Sequence, residues 1–510
     1  MVRAMSNTNS VRTQPDGSTP VLSAASSSRP WVFVAAVAAI FMAAIEGTIV
    51  ATAMPTIVGE LGGFQLFSWV FTAYLLTQAI TIPIYGRLAD FYGRKRILLT
   101  GMGIFLAGSV LCGFAWNMET LIAFRVAQGI GTGALVPVAM TIIADLYTPA
   151  ERARMQGYLS SVWSTAAITG PMLGAFLVAH VTWPWVFWIN APLAVVAAIL
   201  LVVGLHERVQ PRPHRMNYLG VALLGLGIGV FMFALIQASS LTAGTVAALI
   251  ATAVAILAIL VAHERNAPEP ILPLRLWRHP IVAASAVSSF CVGATIMGGS
   301  VFLSLYVQNV MGRSAVVAGW VLTAMSFSWM FGSIGGGRVM LWASYRAAVW
   351  AGGLWLIPAT ALLILLDPTR GPLWAAVAGF MLGIGLGFAN NTYTVAVQAT
   401  VDYSQRGLAT SSTVFMRIIG QSVGTALYGG ILNAGVMARV PGGADIVHRL
   451  MDPALRRSLP EAAVAPLVSA MAAALHNVYV IQGLVVLVLL ATAFCLPAGL
   501  NPLKTAHEQR

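Results

Sequence analysis

The stretch WVFVAAVAAIFMAAIEGTIVATAMPTI, residues 31–57, decides the fold. Apart from one position its residues are apolar or small, and at about 1.5 Å of rise per residue a helix of this length crosses a hydrocarbon core of about 30 Å. The exception is Glu46, near mid-depth. The other acids among the sixteen in the chain fall in predicted loops, tails or helix ends. An ionised acid at the bilayer centre costs roughly 3 kcal/mol or more, so such a residue faces a cavity or a partner. Proton handling is the first functional expectation.

Working outward, 58% hydrophobic and 9% charged residues over 510 positions leave too little polar surface for a soluble fold of this size. Further apolar runs long enough to span occur at 66–86, 97–115, 119–144, 155–179, 183–205, 217–239, 243–263, 281–308, 315–340, 346–366, 371–398, 408–435 and 476–498. The chain therefore reads as an all-α integral membrane protein with fourteen transmembrane helices. The runs are continuous, unlike the alternating strands of a barrel.

The net charge of +12 is distributed by side rather than by patch. Arg87, Arg94, Lys95 and Arg96 share one loop, Arg152 and Arg154 another, and Arg208, Arg212, Arg215, Arg265, Arg275 and Arg278 flank a helix pair, all on one side. On the other side the short turns carry Arg313 and Arg370, while Arg439, Arg449, Arg456 and Arg457 sit in one long loop. This positive-inside bias puts both termini in the cytoplasm and the excess charge against anionic lipid, with no nucleic-acid role. Cys112, Cys291 and Cys495 are scattered in apolar spans and read as packing residues, with no metal or cofactor site. Gly383, Gly385 and Gly387 lie within a span with no following Gly-Lys-Ser/Thr, so they are not a phosphate loop. No side chains group into a catalytic constellation, and the chain is not expected to be an enzyme.

Residues 1–30 read as a disordered tail and 499–510 as a second tail. The loop at Gly86–Arg96 is echoed, eroded and without its acid, at Gly337–Arg346. Each copy follows the second helix of a six-helix group if two helices are an insert. The expected division is thus an N-terminal six-helix bundle at 31–205, an inserted helix pair with basic linkers at 206–280, and a C-terminal six-helix bundle at 281–498. The last includes an external loop at 436–475, whose Ala-rich stretch 461–475 could lie on the membrane or cover an exit.

Gly86-Arg87-Leu88-Ala89-Asp90-Phe91-Tyr92-Gly93-Arg94-Lys95 is the most specific motif. Its glycines permit a tight two-helix turn, Asp90 suits a helix N-terminus, and its basic residues can bridge to carboxylates. The pattern resembles the loop signature of the major facilitator superfamily of transporters. Leu121, Arg125, Gln128, Gly129, Gly131 and Gly133 resemble that superfamily's intramembrane-arginine motif, and Asp145 follows as in relatives. Gly157, Gly170, Pro171 and Gly174 resemble its antiporter motif, with Ala166 and Ala175 where glycine is usual; ordinary tight helix packing is the alternative. The run from Glu46 to Pro55 resembles the first-helix motif of the fourteen-helix drug:proton antiporters, in which the acid is more often aspartate. Trp183–Pro192, Pro270–Trp277 and Arg406–Thr410 resemble other segments of the same family.

By helix rise Glu46 lies about 16 Å and Arg125 about 10 Å from the same face, so the two can meet as a proton-coupling pair. The alternative is that Arg125 only bonds backbone carbonyls. Arg417, the other intramembrane cation, reads as snorkelling toward the cytoplasm. Trp69, Tyr74 and Gln78, with Asn390, Asn391 and Tyr393, either line a substrate cavity or join helices. The resemblance implies a monomeric, multi-pass protein of the bacterial inner membrane that exports lipophilic drugs or other amphipathic small molecules against protons by alternating access. Gly86, Asp90, Gly93, Arg94 and Asp145 would form its cytoplasmic gate. With one mid-span acid, neutral or monovalent substrates are expected. The same scaffold moving a lipid, siderophore or metabolite, or a transporter-like sensor, are the alternatives.

Overall fold

The computed structural model describes residues 28–147, 149–207, 217–238, 241–267, 275–401, 406–440 and 461–496. The side chains of Asp90, Asp145, residues 149–161 and a few others fall outside that description. Helices α1 (Arg29–Leu61), α2 (Phe67–Tyr92), α3 (Arg94–Gly113), α4 (Met118–Leu146), α5 (Pro149–His180) and α6 (Trp185–Gly204) come first. They are followed by α7 (Tyr218–Ile236) and α8 (Ala243–Asn266). Next are α9 (Pro280–Val310), α10 (Ala315–Trp342), α11 (Tyr345–Ile364), α12 (Pro372–Thr400), α13 (Arg406–Met437) and α14 (Glu461–Ala491).

Twelve spans among the described residues are long and apolar enough to cross a membrane, which makes this a multi-pass membrane protein. The remaining two helices, α5 and α13, are 32 residues each. The described apolar part of α5 is Ile168–His180.

Helix ends follow local chemistry. Asn117 caps α4: its side chain accepts from Thr120 N at 2.8 Å, and Thr120 Oγ1 accepts from Asn117 N at 3.3 Å. That box sets the depth of everything further along α4. Of the two motif glycines expected at the α2–α3 turn, Gly93 makes it, with φ of 89°, while Gly86 lies inside α2. A side chain at 93 would be strained in that left-handed conformation. The stretch 461–475, read from sequence as loop, is helical and continuous with the last span; alanine favours helix, and Leu467, Met471 and Ala474 bury against the rest of the protein. In α9 the ladder loosens into π-helical turns at Gly298–Phe302 and Tyr306–Val310.

Helices α1 to α6 pack largely among themselves, as do α9 to α14, while α7 and α8 pair with each other and α7 lies against α2 and α13. Close approach depends on small residues, since lipid supplies no hydrophobic drive between helices. At Gly131 a Cβ would come within 2.2 Å of Phe105 N, so α3 and α4 touch backbone to backbone.

The two large helix groups are clamped at one end. Gln308 Nε2 donates to Thr52 O at 3.1 Å, Ser422 Oγ to Thr72 O at 3.1 Å and Asn433 Nδ2 to Gln65 O at 2.9 Å. Gly319 of α10 sits against α5, where a Cβ would be 2.8 Å from Pro171 O. All these contacts lie in the half that holds the C-terminal end of α1 and the N-terminal end of α2.

Candidate functional site

Glu46 on α1 and Arg125 on α4 form a buried ion pair, with 0% and 1% of their side chains exposed. Arg125 Nη1 donates to Glu46 Oε1, and also to Gln128 Oε1 at 2.7 Å; its Nε donates to Val70 O at 3.1 Å. The guanidinium carbon lies 4.0 Å from the centre of the Tyr74 ring and 5.8 Å from that of Phe187. The second carboxylate oxygen of Glu46 accepts from Asn190 Nδ2 at 2.8 Å. Ser109 Oγ ties the far side together, accepting from Asn190 Nδ2 and Gln128 Nε2, each at 3.2 Å, and donating to Phe187 O at 2.8 Å. Five helices thus converge on one carboxylate and one guanidinium, with Gln128, Ser109 and Asn190 all fully buried.

Two local features put these groups in register. The capped start of α4 places Arg125 about two turns inside the helix. On α1, the residues just after Glu46 receive α5: a Cβ at Gly170 would lie 2.0 Å from Thr48 Oγ1, and one at Gly174 would lie 2.6 Å from Ile49 O. The motif Gly170-Pro171-x-x-Gly174 is therefore the seam by which α5 fits against the acid-bearing helix, and Pro171 also meets α10 across the clamp.

The electrostatics follow from burial. A carboxylate and a guanidinium taken out of water hold each other, and Asn190 donates one further hydrogen bond to the carboxylate while Gln128 accepts one from the guanidinium. A proton arriving on Glu46 removes the counter-charge of Arg125, which keeps Gln128, the Val70 carbonyl and the Tyr74 face as partners. The site can therefore exist in a paired and an unpaired form that differ by one proton.

Other residues singled out by sequence take different places. Arg94 is buried, and its backbone N–H, with that of Lys95, donates to the Glu207 carboxylate at 2.9 Å each. Lys95 Nζ reaches the carbonyls of Val202 and Leu205, both at 2.7 Å, so the end of α6 is locked to the start of α3. Asp90 and Asp145, expected at a cytoplasmic gate, have side chains outside the described part, and Gly157 lies within α5. Tyr74 packs under Arg125, Gln78 is buried, and the Trp69 ring packs at a tilt against Phe233 of α7. Asn391 Nδ2 bonds Ser333 O at 2.9 Å, the Tyr393 hydroxyl bonds Thr492, and Asn390 Oδ1 accepts from Arg417 at 3.3 Å.

Sequence reasoning assigned no role to Asn190, Ser109, Gln128 or Glu207. Asn190 and Gln128 stood inside quoted motifs, and their polarity within apolar runs was the available signal.

The family model described as Major Facilitator Superfamily matches residues 36–425. Among relatives, the chain is 34% identical over 411 residues to the Multidrug transporter protein MdtP of Bacillus subtilis (strain 168), covering 80% of this chain and 76% of that protein. It is 32% identical over 488 residues to Multidrug resistance protein 3 of the same organism, covering 92% of this chain and 95% of the relative. Among solved structures, a bacterial homolog of the human lysosomal transporter Spinster, in an inward-facing and unoccupied conformation, superposes with a TM-score of 0.67. That match has 17% identity and covers 92% of this chain and 97% of the other.

Proposed function

The chain belongs to the Major Facilitator Superfamily and is a membrane transporter, and from that premise we propose that it exports amphipathic small molecules in exchange for protons. The observation that carries this reading is the buried Glu46–Arg125 pair held by Asn190 and Gln128. A transporter driven by an ion gradient needs a group whose charge changes once per cycle, and this is the one carboxylate deep in the described helices. Two relatives named for multidrug transport or resistance support a drug-like substrate range.

In this reading α5 and α13 also span, giving the fourteen-helix drug:proton antiporter architecture of 31–205, 206–280 and 281–498; their 32-residue lengths support it. With the basic loops cytoplasmic, the clamped end is external and the structure is the inward-facing state. Protonation of Glu46 from outside loosens the pair and releases substrate; deprotonation toward the cytoplasm restores it. Asp90, Arg94 and Asp145 latch the cytoplasmic end in the opposite state. One charge crossing 100 mV supplies about 2.3 kcal/mol per cycle.

The test is accumulation of a fluorescent amphiphile by proteoliposomes with an acid lumen. Uphill uptake that stops when the pH gradient is dissipated supports antiport; uptake indifferent to the gradient excludes it.

A further inference from the structure

Three charged side chains lie well inside the described helices: Glu46, Arg125 and Arg417. The first two cancel. Arg417 remains, and its recorded partner is the neutral Asn390 Oδ1 at 3.3 Å, a long contact for a cation. A guanidinium offers five N–H donors in a planar fork, so most of its capacity is unspent on this contact.

Its position in the fold is equally informative. At Arg417 the α13 backbone is pressed against α9, where a Cβ on Gly293 would lie 2.0 Å from Arg417 O, and the side chain reaches sideways to α12. Both Arg417 and Asn390 are partly accessible. They lie deeper than the apolar cluster of Val282, Val397, Val401 and Ala409 that gathers the ends of α9, α12 and α13, in the half opposite the clamp. In that same half an apolar groove of about 450 Å³ runs between α1 and α5, lined by Phe33, Val37, Phe41 and Val162 with Thr165. Phe41 is eleven residues from Thr52, three helical turns, so the groove lies on the face of α1 that meets α9 at the clamp. One helix group thus carries an unneutralised cation and the other an apolar groove, both in the half opposite the clamp.

We propose that Arg417, with Asn390, binds the carboxylate of a monoanionic amphiphile whose apolar part lies in the α1–α5 groove. The proposal rests on the exporter reading and narrows it: the deep carboxylate is already engaged, so a cationic amphiphile meets no free acid and one repelling guanidinium. An acid is matched and its neutral ester is not.

The experiment uses the full chain in nanodiscs of zwitterionic lipid with dansyl-undecanoate and its methyl ester as probes, read by dansyl fluorescence. The parent is expected to bind the acid about tenfold more tightly than the ester, the scale of one charge-assisted contact. Arg417→Gln should bring that ratio close to one, and Arg417→Lys should keep part of it, with thermal melting confirming that both variants are folded. A parent that binds acid and ester alike, or an Arg417→Gln protein that keeps the preference, overturns the proposal. Transport of the same probes separates the two readings. Equal export of acid and ester by the parent leaves the exporter and removes the anion site. A retained binding preference without gradient-driven export leaves the site and removes the exporter.

Discussion

Neutralising either member of the central ion pair should destabilise the protein, and neutralising both should cost much less than the sum. In Glu46→Gln the guanidinium of Arg125 stays buried without a counter-charge, but it keeps Gln128 Oε1 at 2.7 Å, Val70 O at 3.1 Å and the Tyr74 face at 4.0 Å. In Arg125→Gln the Glu46 carboxyl keeps Asn190 Nδ2 at 2.8 Å and the Gln128 side chain beside it. Breaking a buried pair by removing one partner costs about 3–5 kcal/mol. The guanidinium stranded in Glu46→Gln cannot lose its charge, so the first variant should fall near the upper end of that range, about 5 kcal/mol, whereas the carboxyl stranded in Arg125→Gln can neutralise by taking up a proton, which puts the second near the lower end, about 3 kcal/mol. In the double variant two neutral amides face each other and no charge is stranded, so the coupling should be about 3 kcal/mol. Reversible unfolding in mixed micelles with increasing SDS measures all three. Additivity to within about 0.5 kcal/mol, or a cost for Arg125→Gln above that for Glu46→Gln, would refute the reasoning.

Three further outcomes follow from particular contacts. Gly131→Ala places a Cβ 2.2 Å from a backbone nitrogen, whereas Gly170→Ala meets the Thr48 Oγ1 hydroxyl at 2.0 Å. The first should lower the yield of folded protein whatever side chain is changed nearby, by about 1–3 kcal/mol or more of overpacking, while the transport defect of the second should be partly relieved by Thr48→Ala. Cysteines at Thr52 and Gln308, cross-linked in a background where the exposed Cys495 is Ser, should stop dye transport until the linker is cleaved; undiminished transport would mean that this end does not open. In the turn before α12, hydrogen bonds from the Thr369 hydroxyl and backbone N–H hold the Asp367 carboxyl below the usual carboxylate range. Its folded value is thus the lower one, so its contribution is present above about pH 3.9 and is lost as pH falls through the folded value. Thr369→Ala should move its midpoint upward in carboxyl-carbon NMR.

Depth was legible in the sequence; direction was not. Helix rise alone puts Glu46 and Arg125 at compatible levels, and the structure pairs them. Nothing in α1 tells which way Glu46 points, because this helix is apolar almost all round and has no polar stripe to fix its rotation. For that reason Asn190 and Ser109, ordinary polar residues in apolar runs, could not be assigned to the pair. Within the Gly86–Arg96 motif, composition could not separate a glycine that turns the chain from one inside a helix; only Gly93 has positive φ. Trp69 illustrates the same limit: its partner Phe233 belongs to α7, and lateral packing of that helix leaves no trace in local sequence. The Ala-rich stretch 461–475 is too weakly hydrophobic to read as part of the last span, although alanine favours helix wherever a surface exists to cover it, and the helix there is continuous.

The central claim is that Glu46 is where the proton acts. Reconstituted parent and Glu46→Gln proteins should be compared for uptake of one fluorescent amphiphile with and without an imposed pH gradient. The account predicts that the parent accumulates dye only under the gradient and that Glu46→Gln loses this component while still equilibrating dye down its own gradient. Gradient-driven accumulation by Glu46→Gln equal to that of the parent would contradict it.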